Sequence, residues 1–304
     1  MKILKKYWKK IFGLTLTITL GVYVCFFAIK KVLDLEIYKQ PEIETKVYEI
    51  WHVETFEGGA KPRINYLKNI ALSYEKEHDG VLFMIKSISP DILENALTSA
   101  TPHMISFGFG VGKTVLPVLK NLDKTFDVRD ELVESGSFNN KLYATPYIVS
   151  GYAVLTHNID NENFCYGTNK FVNPTKNAEI KSKNLTALES QYEAYKQFVN
   201  TKNYSLIGTA RDVYRVNNLN NIGRTNAMIN PLRDYTDLIQ YIGATTFDEH
   251  IDNFLSLVFT DENQNKLADY SLFSAKHTKL YQTGIYNDME NAILNCQIPN
   301  VFND

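Results

Sequence analysis

The side chains best suited to chemistry in this 304-residue chain are aromatic and polar rather than nucleophilic. It carries 19 Tyr and 17 Phe, and Trp51, Tyr147, Tyr152, Tyr214 and Tyr235 fall at or near the ends of strand-like runs. Aromatic faces beside amide, hydroxyl and acidic groups suit sugars and other polar organic ligands, because one apolar face stacks while the rim hydrogen-bonds. Any one of these tyrosines is equally at home as a half-buried strand residue, so the pattern matters more than its members.

Motifs for bond-making are missing. Gly108-Phe109-Gly110-Val111-Gly112-Lys113-Thr114 follows a strand, as a phosphate-binding loop does, but that loop needs glycine five residues before its last glycine, and position 107 is Phe. A mobile loop at a strand end is the expectation there. His52, His78, His103, His157, His250 and His277 form no H-x-x-x-H pair, so neither a zinc site nor any other metal or cofactor is expected. Ser106 and Ser150 lack the G-x-S-x-G setting of a nucleophile elbow. A glycosidase carboxylate pair cannot be picked out by spacing. Cys165 and Cys296 could form one disulfide, but two cysteines this far apart make no framework.

The elements that must position such side chains begin with Val47 to Val53, alternating and β-rich. Ile64, Leu67, Ile70, Ala71 and Tyr74 then recur at helical spacing until His78-Asp79-Gly80. Val81 to Ile85 reads as a buried strand, Ser89-Pro90-Asp91 opens a helix, and His103 to Phe107 is a third strand. Strands alternating with helices predict a parallel sheet, with ligands beyond the strand carboxyl ends, in loops 55–61, 87–90 and 108–112. Two strand-like runs share residues 141–155, broken at Pro146 and Gly151. Residues 158–184 and 217–222 read as loop, Leu188 to Val199 as helix, 205–209 and 235–243 as strands, and Phe247 to Val258 and 264–270 as helices.

Location is set by Ile11 to Ile29, an apolar run without charge, preceded by five lysines and closed by Lys30 and Lys31. As a helix it is about 28 Å long, close to the hydrocarbon core of a bilayer. The lysine bias keeps the amino terminus in the cytoplasm. Phe26-Phe27-Ala28-Ile29 offers no small-residue cleavage site, so residues 1–31 are expected to be an uncleaved anchor rather than a secretory signal, with 32–45 a stalk. Val24 before Cys25 is a poor lipidation site. All 34 acidic residues lie beyond this segment, against 25 of the 32 basic ones, and an ectodomain of net charge -9 argues against a nucleic-acid partner.

Three places carry a family resemblance. Ile50-Trp51-His52 with Glu57-Gly58-Gly59 and a helix, Leu142 to Tyr147 with Gly151 to Asn158, and Leu257 to Gln264 together resemble the extracellular solute-binding proteins of bacterial ABC transporters, the large class that includes sugar binders. The resemblance spans about residues 46–275. It implies an α/β, periplasmic-binding-protein-like two-lobed fold with a hinge. Lobe one would hold 46–150 and 233–304, and a reduced lobe two 151–232, with ligand bound by closure between them. The cleft residues it implies are Trp51, Glu57, Gly59, Phe107, Tyr147, Tyr152, Arg211 and Asp212. Trp51 and the tyrosines would stack, Glu57, Arg211 and Asp212 would fix polar groups, and Gly59 would offer backbone N–H groups at a helix start. The implied role is non-enzymatic: a membrane-tethered binder outside the cytoplasm, delivering a sugar or similar polar solute to an ABC permease. A surface sensing or protein-contact module on the same fold, and an exported hydrolase, are the alternatives.

Overall fold

The computed structural model describes residues 2–33 and 44–303, in two compact units, Met1–Thr45 and Lys46–Asp304. Among the described residues the first holds one helix, α1 (Lys2–Leu33), within which Lys10–Lys31 is long and apolar enough to cross a membrane. The hydroxyls of Thr15, Thr17 and Thr19 donate to the carbonyls of Ile11, Gly13 and Thr15, which removes their polarity from an apolar surface. Most of the expected stalk lies outside the described residues.

The second unit is built on two sheets. β1 (Lys46–Val53), α2 (Arg63–Glu77), β2 (Val81–Ile88), α3 (Leu93–Ser99) and β3 (Met104–Gly108) make two βα repeats whose strands run parallel. After α4 (Gly112–Val115), α5 (Asp130–Ser135) and a short hairpin of β4 (Ser137–Phe138) and β5 (Lys141–Leu142), the chain enters β6 (Thr145–Val149). It then leaves for a second sheet made of β7 (Ala153–Thr156), β8 (Asn163–Gly167), β9 (Asn184–Leu188), β10 (Ser205–Gly208) and β11 (Met228–Pro231), with α6 (Gln191–Thr201) and α7 (Ala210–Asn221). β12 (Ile239–Ala244) returns to the first sheet, followed by α8 (Glu249–Val258), α9 (Asp261–Asn265), β13 (Phe273–Ser274) and α10 (Gly284–Ile293). The strand orders are β13-β6-β12-β3-β1-β2 and β11-β7-β10-β8-β9.

Amphipathic helices fix the first sheet. α2 buries Tyr66, Leu67, Ile70, Ala71 and Tyr74, and α8 buries Ile251, Phe254, Leu255 and Val258 below an Asp248 cap that accepts from the N–H groups of His250 and Ile251. Phe83 and Phe254 stack at 4.3 Å, tying α8 to β2. Where the chain passes between sheets, the strands stay joined. Ser150 N–H donates to the Leu238 carbonyl at 2.8 Å and Thr236 Oγ1 to the Ser150 carbonyl at 2.7 Å. Gln297 bonds to the same stretch, its N–H donating to Asp234 and its carbonyl accepting from Thr236.

Several expectations are corrected. The sheet is mixed, since β12 runs antiparallel to β3 and β6. Residues 158–184 hold β8, two 3₁₀ turns and the first residue of β9 rather than one loop, and α7 runs to Asn221, through the segment read as loop. Leu188 ends β9 instead of starting a helix. Cys165 and Cys296 are both free and buried, their thiols pushed up to about 12 by burial, so they pack as small apolar groups. The 108–112 loop is packed rather than loose: a Cβ on Gly112 would stand 1.9 Å from the Val301 carbonyl oxygen.

Gly59 is held the same way, because a Cβ there would stand 1.8 Å from the Tyr270 carbonyl oxygen, which also accepts from Ala60 N–H. Gly59→Ala is expected to cost about 3 kcal/mol, as overpacking against backbone does, measured as a lowered urea midpoint. A loss under about 0.5 kcal/mol would show that the Tyr270 turn yields freely.

Candidate functional site

At the edge of the first sheet where β1 and β3 end, three neighbouring strands each send one side chain to a hydroxyl on a fourth. Ser106 Oγ on β3 lies 2.9 Å from His52 Nδ1 on β1, 2.9 Å from Tyr147 OH on β6 and 2.9 Å from Gln240 Nε2 on β12. All four residues are fully buried. His52 Nε2 in turn meets Glu54 Oε1 at 3.1 Å. The proton inventory closes in one direction only: Gln240 and Tyr147 donate to Ser106, Ser106 donates to His52 Nδ1, and His52 Nε2–H donates to the Glu54 carboxylate. Burial holds His52 below its ordinary value in spite of Glu54, so the ring is neutral. Burial alone would lift Glu54, but the His52 hydrogen bond and the Arg63 charge outweigh it and take the carboxyl down to about 2.

Acid, imidazole and hydroxyl in a row have the connectivity of a hydrolase triad. The imidazole is turned the other way, with Nδ1 on the hydroxyl and Nε2 on the acid, and Ser106 Oγ has no surface left for a substrate. The chain therefore positions a loop rather than a nucleophile. Beyond Glu54 it reaches Arg63, fully buried, whose Nη2 donates to the Phe56 carbonyl at 2.8 Å while its Cζ sits 3.8 Å from the Phe56 ring centre. Residues 54–58 are thus clamped from below.

Above them opens a pocket of about 530 Å³, walled by Glu54 to Gly58 from one side and by Asn169, Lys170, Phe171 and Arg211 from the other. A neighbouring pocket of about 210 Å³ shares Phe56, Glu57 and Asn169 and adds Tyr152, Gln191 and Thr209. The cleft thus lies between the two sheets, over the carboxyl end of β1. Glu57 faces Arg211 Nε at 3.9 Å and Arg215 Nη1 at 3.6 Å, close enough to attract but too far to hydrogen-bond. Thr55 Oγ1, Glu57 Oε2, Arg63 Nε and Nη1, and Arg211 Nε are buried without a hydrogen-bond partner, on this wall or directly behind it. Buried polar groups are normally satisfied, so such a concentration marks a place built for polar company.

The expected site residues divide. Glu57, Tyr152 and Arg211 line the pockets. Tyr147 belongs to the buried chain, Phe107 stacks on Tyr241 at 5.8 Å, and Trp51 is buried with its indole N–H on Glu49. Gly59 answers the packing demand at Tyr270. Asp212 is buried at the start of α7, accepting from Thr209 N–H, Gln191 Nε2 and Arg215 Nη1 at 3.1, 2.8 and 3.1 Å. Burial, partly offset by those bonds, pushes its carboxyl up to about 6. Tyr152 OH donates to Asp237 at 2.6 Å, where Tyr235 OH and Asn173 N–H also donate. Thr55, Arg63 and the 169–171 segment carry no sequence signal beyond their polarity.

This architecture is that of the two-lobed solute-binding proteins. The chain matches the GacH receptor of Streptomyces glaucescens, solved unliganded and with acarbose, with a TM-score of 0.61 at 11% identity over 84% of this chain and 87% of that one. It also matches an ABC substrate-binding protein of Listeria monocytogenes in complex with cycloalternan, with a TM-score of 0.56 at 9% identity over 84% and 89% of the chains. A third match, with a TM-score of 0.54 at 12% identity over 81% and 93%, is a two-component system protein that mediates signal transduction. No protein-family model and no curated protein sequence matches the chain.

Two outcomes follow from the buried chain. Ser106→Ala strands three polar groups and is expected to cost about 3 kcal/mol in denaturant unfolding; a loss below about 1 kcal/mol would mean that the chain is dispensable. Glu54 has a folded-state value below its ordinary 4.5, so its contribution is full above that value and drains as pH falls toward about 2. The stability gap between wild type and Glu54→Gln, which keeps an acceptor for His52, should narrow between about pH 5 and pH 3. A constant gap would contradict the assignment.

Proposed function

We propose that the protein is a membrane-tethered binder facing away from the cytoplasm, which captures a sugar or similar polar solute in the cleft and delivers it to an ABC permease. Residues 11–29 would serve as the anchor. Residues 46–150 with 233–304 would form one lobe and 151–232 the other. The observation that carries the proposal is the pocket between the two sheets, with buried and unpartnered carboxylate, guanidinium and hydroxyl atoms in its walls. Polyols supply donors and acceptors in adjacent pairs, and a hydroxyl between Glu57 and Arg211 would donate to the Glu57 carboxylate and accept from the Arg211 guanidinium. Phe56, Phe171 and Tyr152 supply the apolar surface. The solved neighbours with acarbose and cycloalternan support the solute class. Surface sensing is the second proposal, favoured by the match to the signalling protein.

Thermal-shift screening of the full chain in detergent, against monosaccharides, oligosaccharides and peptides, tests the first. A true ligand at a hundred times its Kd should add about 2.7 kcal/mol of stability. Arg211→Ala should weaken that ligand about tenfold or more while leaving the melting temperature of the free protein nearly unchanged. If no solute raises the melting temperature, transport gives way to sensing or surface contact.

A further inference from the structure

One guanidinium nitrogen of Arg215 stands between two carboxylates. Its Nη1 is 3.1 Å from Asp212 Oδ1, a hydrogen bond, and 3.6 Å from Glu57 Oε2, which is not one. Glu57 lines both pockets, and its Oε2 is buried with no hydrogen-bond partner among the described residues. Asp212 is fully buried in the first turn of α7 and lines neither pocket. Its Oδ2 accepts from Thr209 N–H and Gln191 Nε2, which leaves Oδ1 for Arg215. The ring centres of Tyr195 and Tyr192 lie 5.1 and 5.8 Å from Arg215 Cζ and help to hold the guanidinium beside the two acids.

We infer that Asp212 is a positioning residue of the cleft: it holds Arg215 back from Glu57, so that the Glu57 carboxylate stays free to accept from a solute hydroxyl. The hold on Arg215 stands by itself, and its bearing on a solute rests on the reading of the cleft as a binding site. A proton on Asp212 ends the hold. It goes to Oδ1, since Oδ2 already accepts two N–H bonds, and Oδ1 then donates where it had accepted. Arg215 moves to the open Oε2 of Glu57, and the solute loses that carboxylate. Asp212 is faced by Arg215 on its own helix, Glu57 from the loop after β1, Tyr195 and Gln191 from α6 and Cys165 from β8. Burial pushes its carboxyl up to about 6, with Glu57 adding to the rise and the Thr209, Gln191 and Arg215 contacts opposing it. Burial also raises Tyr195 and Cys165, which keeps both uncharged. Asp212 therefore changes charge just below neutral pH.

Guanidinium NMR of the full chain in nanodiscs, labelled in arginine and without solute, tests the hold, and maltotriose as a probe tests its consequence. The Arg215 signal, assigned with Arg215→Gln, should shift in the wild type with a midpoint at about pH 6. In Asp212→Asn it should sit at its acid position already at about pH 7.5. Asn keeps an oxygen for Thr209 and turns donors toward Arg215, as the protonated acid does. Maltotriose should bind about tenfold more weakly at about pH 5 than at about pH 7.5, and Asp212→Asn should be weak at both. Adding Arg215→Gln to Asp212→Asn should restore the affinity, because Arg215 can no longer cover Glu57; a merely structural Asp212 would not be rescued. An Arg215 signal that neither acid nor Asp212→Asn moves, or a double variant as weak as the single one, would overturn the inference. If maltotriose binds no form at any pH, the Arg215 signal still decides the hold, and it is the solute reading that fails.

Discussion

One hydroxyl sets the geometry of the cleft. Ser106 Oγ collects β1, β3, β12 and β6, four consecutive strands of the first sheet, through His52, Gln240 and Tyr147. A buried hydroxyl has one proton to give and two lone pairs to fill, so three partners exhaust it and leave one self-consistent arrangement of protons. That arrangement fixes the His52 tautomer, which places a charge-assisted hydrogen bond on Glu54 and, through Glu54 and Arg63, holds Phe56 and the pocket wall. Leaving any one partner unmatched in this dry setting costs more than the bond is worth when made. The 54–58 loop that walls the pocket is therefore anchored in sheet, not in other loops.

The second fixed point is Asp237, beside the crossing into β12. Its carboxylate accepts from Tyr152 of the outgoing crossing, Tyr235 of the returning one and the Asn173 backbone of the 168–173 segment. Burial lifts the carboxyl while these bonds lower it. The 168–173 segment and the two crossings thus share an anchor, while the segment's far end meets Thr55 and Asp91 through one hydrogen bond and one exposed ion pair.

Much of the first sheet was legible because its elements obey a period. β1 alternates, α2 and α8 carry apolar stripes, and β3 is an apolar run ending in glycine. The second sheet was harder to see because its edge strands bury so little. β9 and β11 have no buried residue and lack the apolar signal that marks a strand, and they are held by backbone pairing to β8 and β7. The asparagines of α7 give its second half the look of a loop, although Thr209 and Asp212 form a capping box and Val213 and Val216 face inward. At the site, Glu57, Tyr152 and Arg211 were visible as polar or aromatic residues near element ends. Trp51, Phe107 and Tyr147 looked the same in sequence, but alternation along a strand does not say which face meets core and which meets cleft when both are covered. Arg63 was invisible for the opposite reason: an arginine at the start of a helix reads as solvated, and only the fold reveals that it is wholly enclosed.

The polar character of the pocket comes from atoms the fold buries without partners. Glu57 Oε2, Arg211 Nε and Thr55 Oγ1 belong to residues that line the pocket and have no hydrogen-bond partner, and a buried polar group left unsatisfied costs about 1–3 kcal/mol. The 169–171 wall is held by more than polar contact, since Val172 is buried in the hydrophobic core and Phe171 packs against it. Under the proposed function, a solute whose hydroxyls reach these atoms gains hydrogen bonds on groups the fold has already desolvated, so the wall pays little further desolvation on binding.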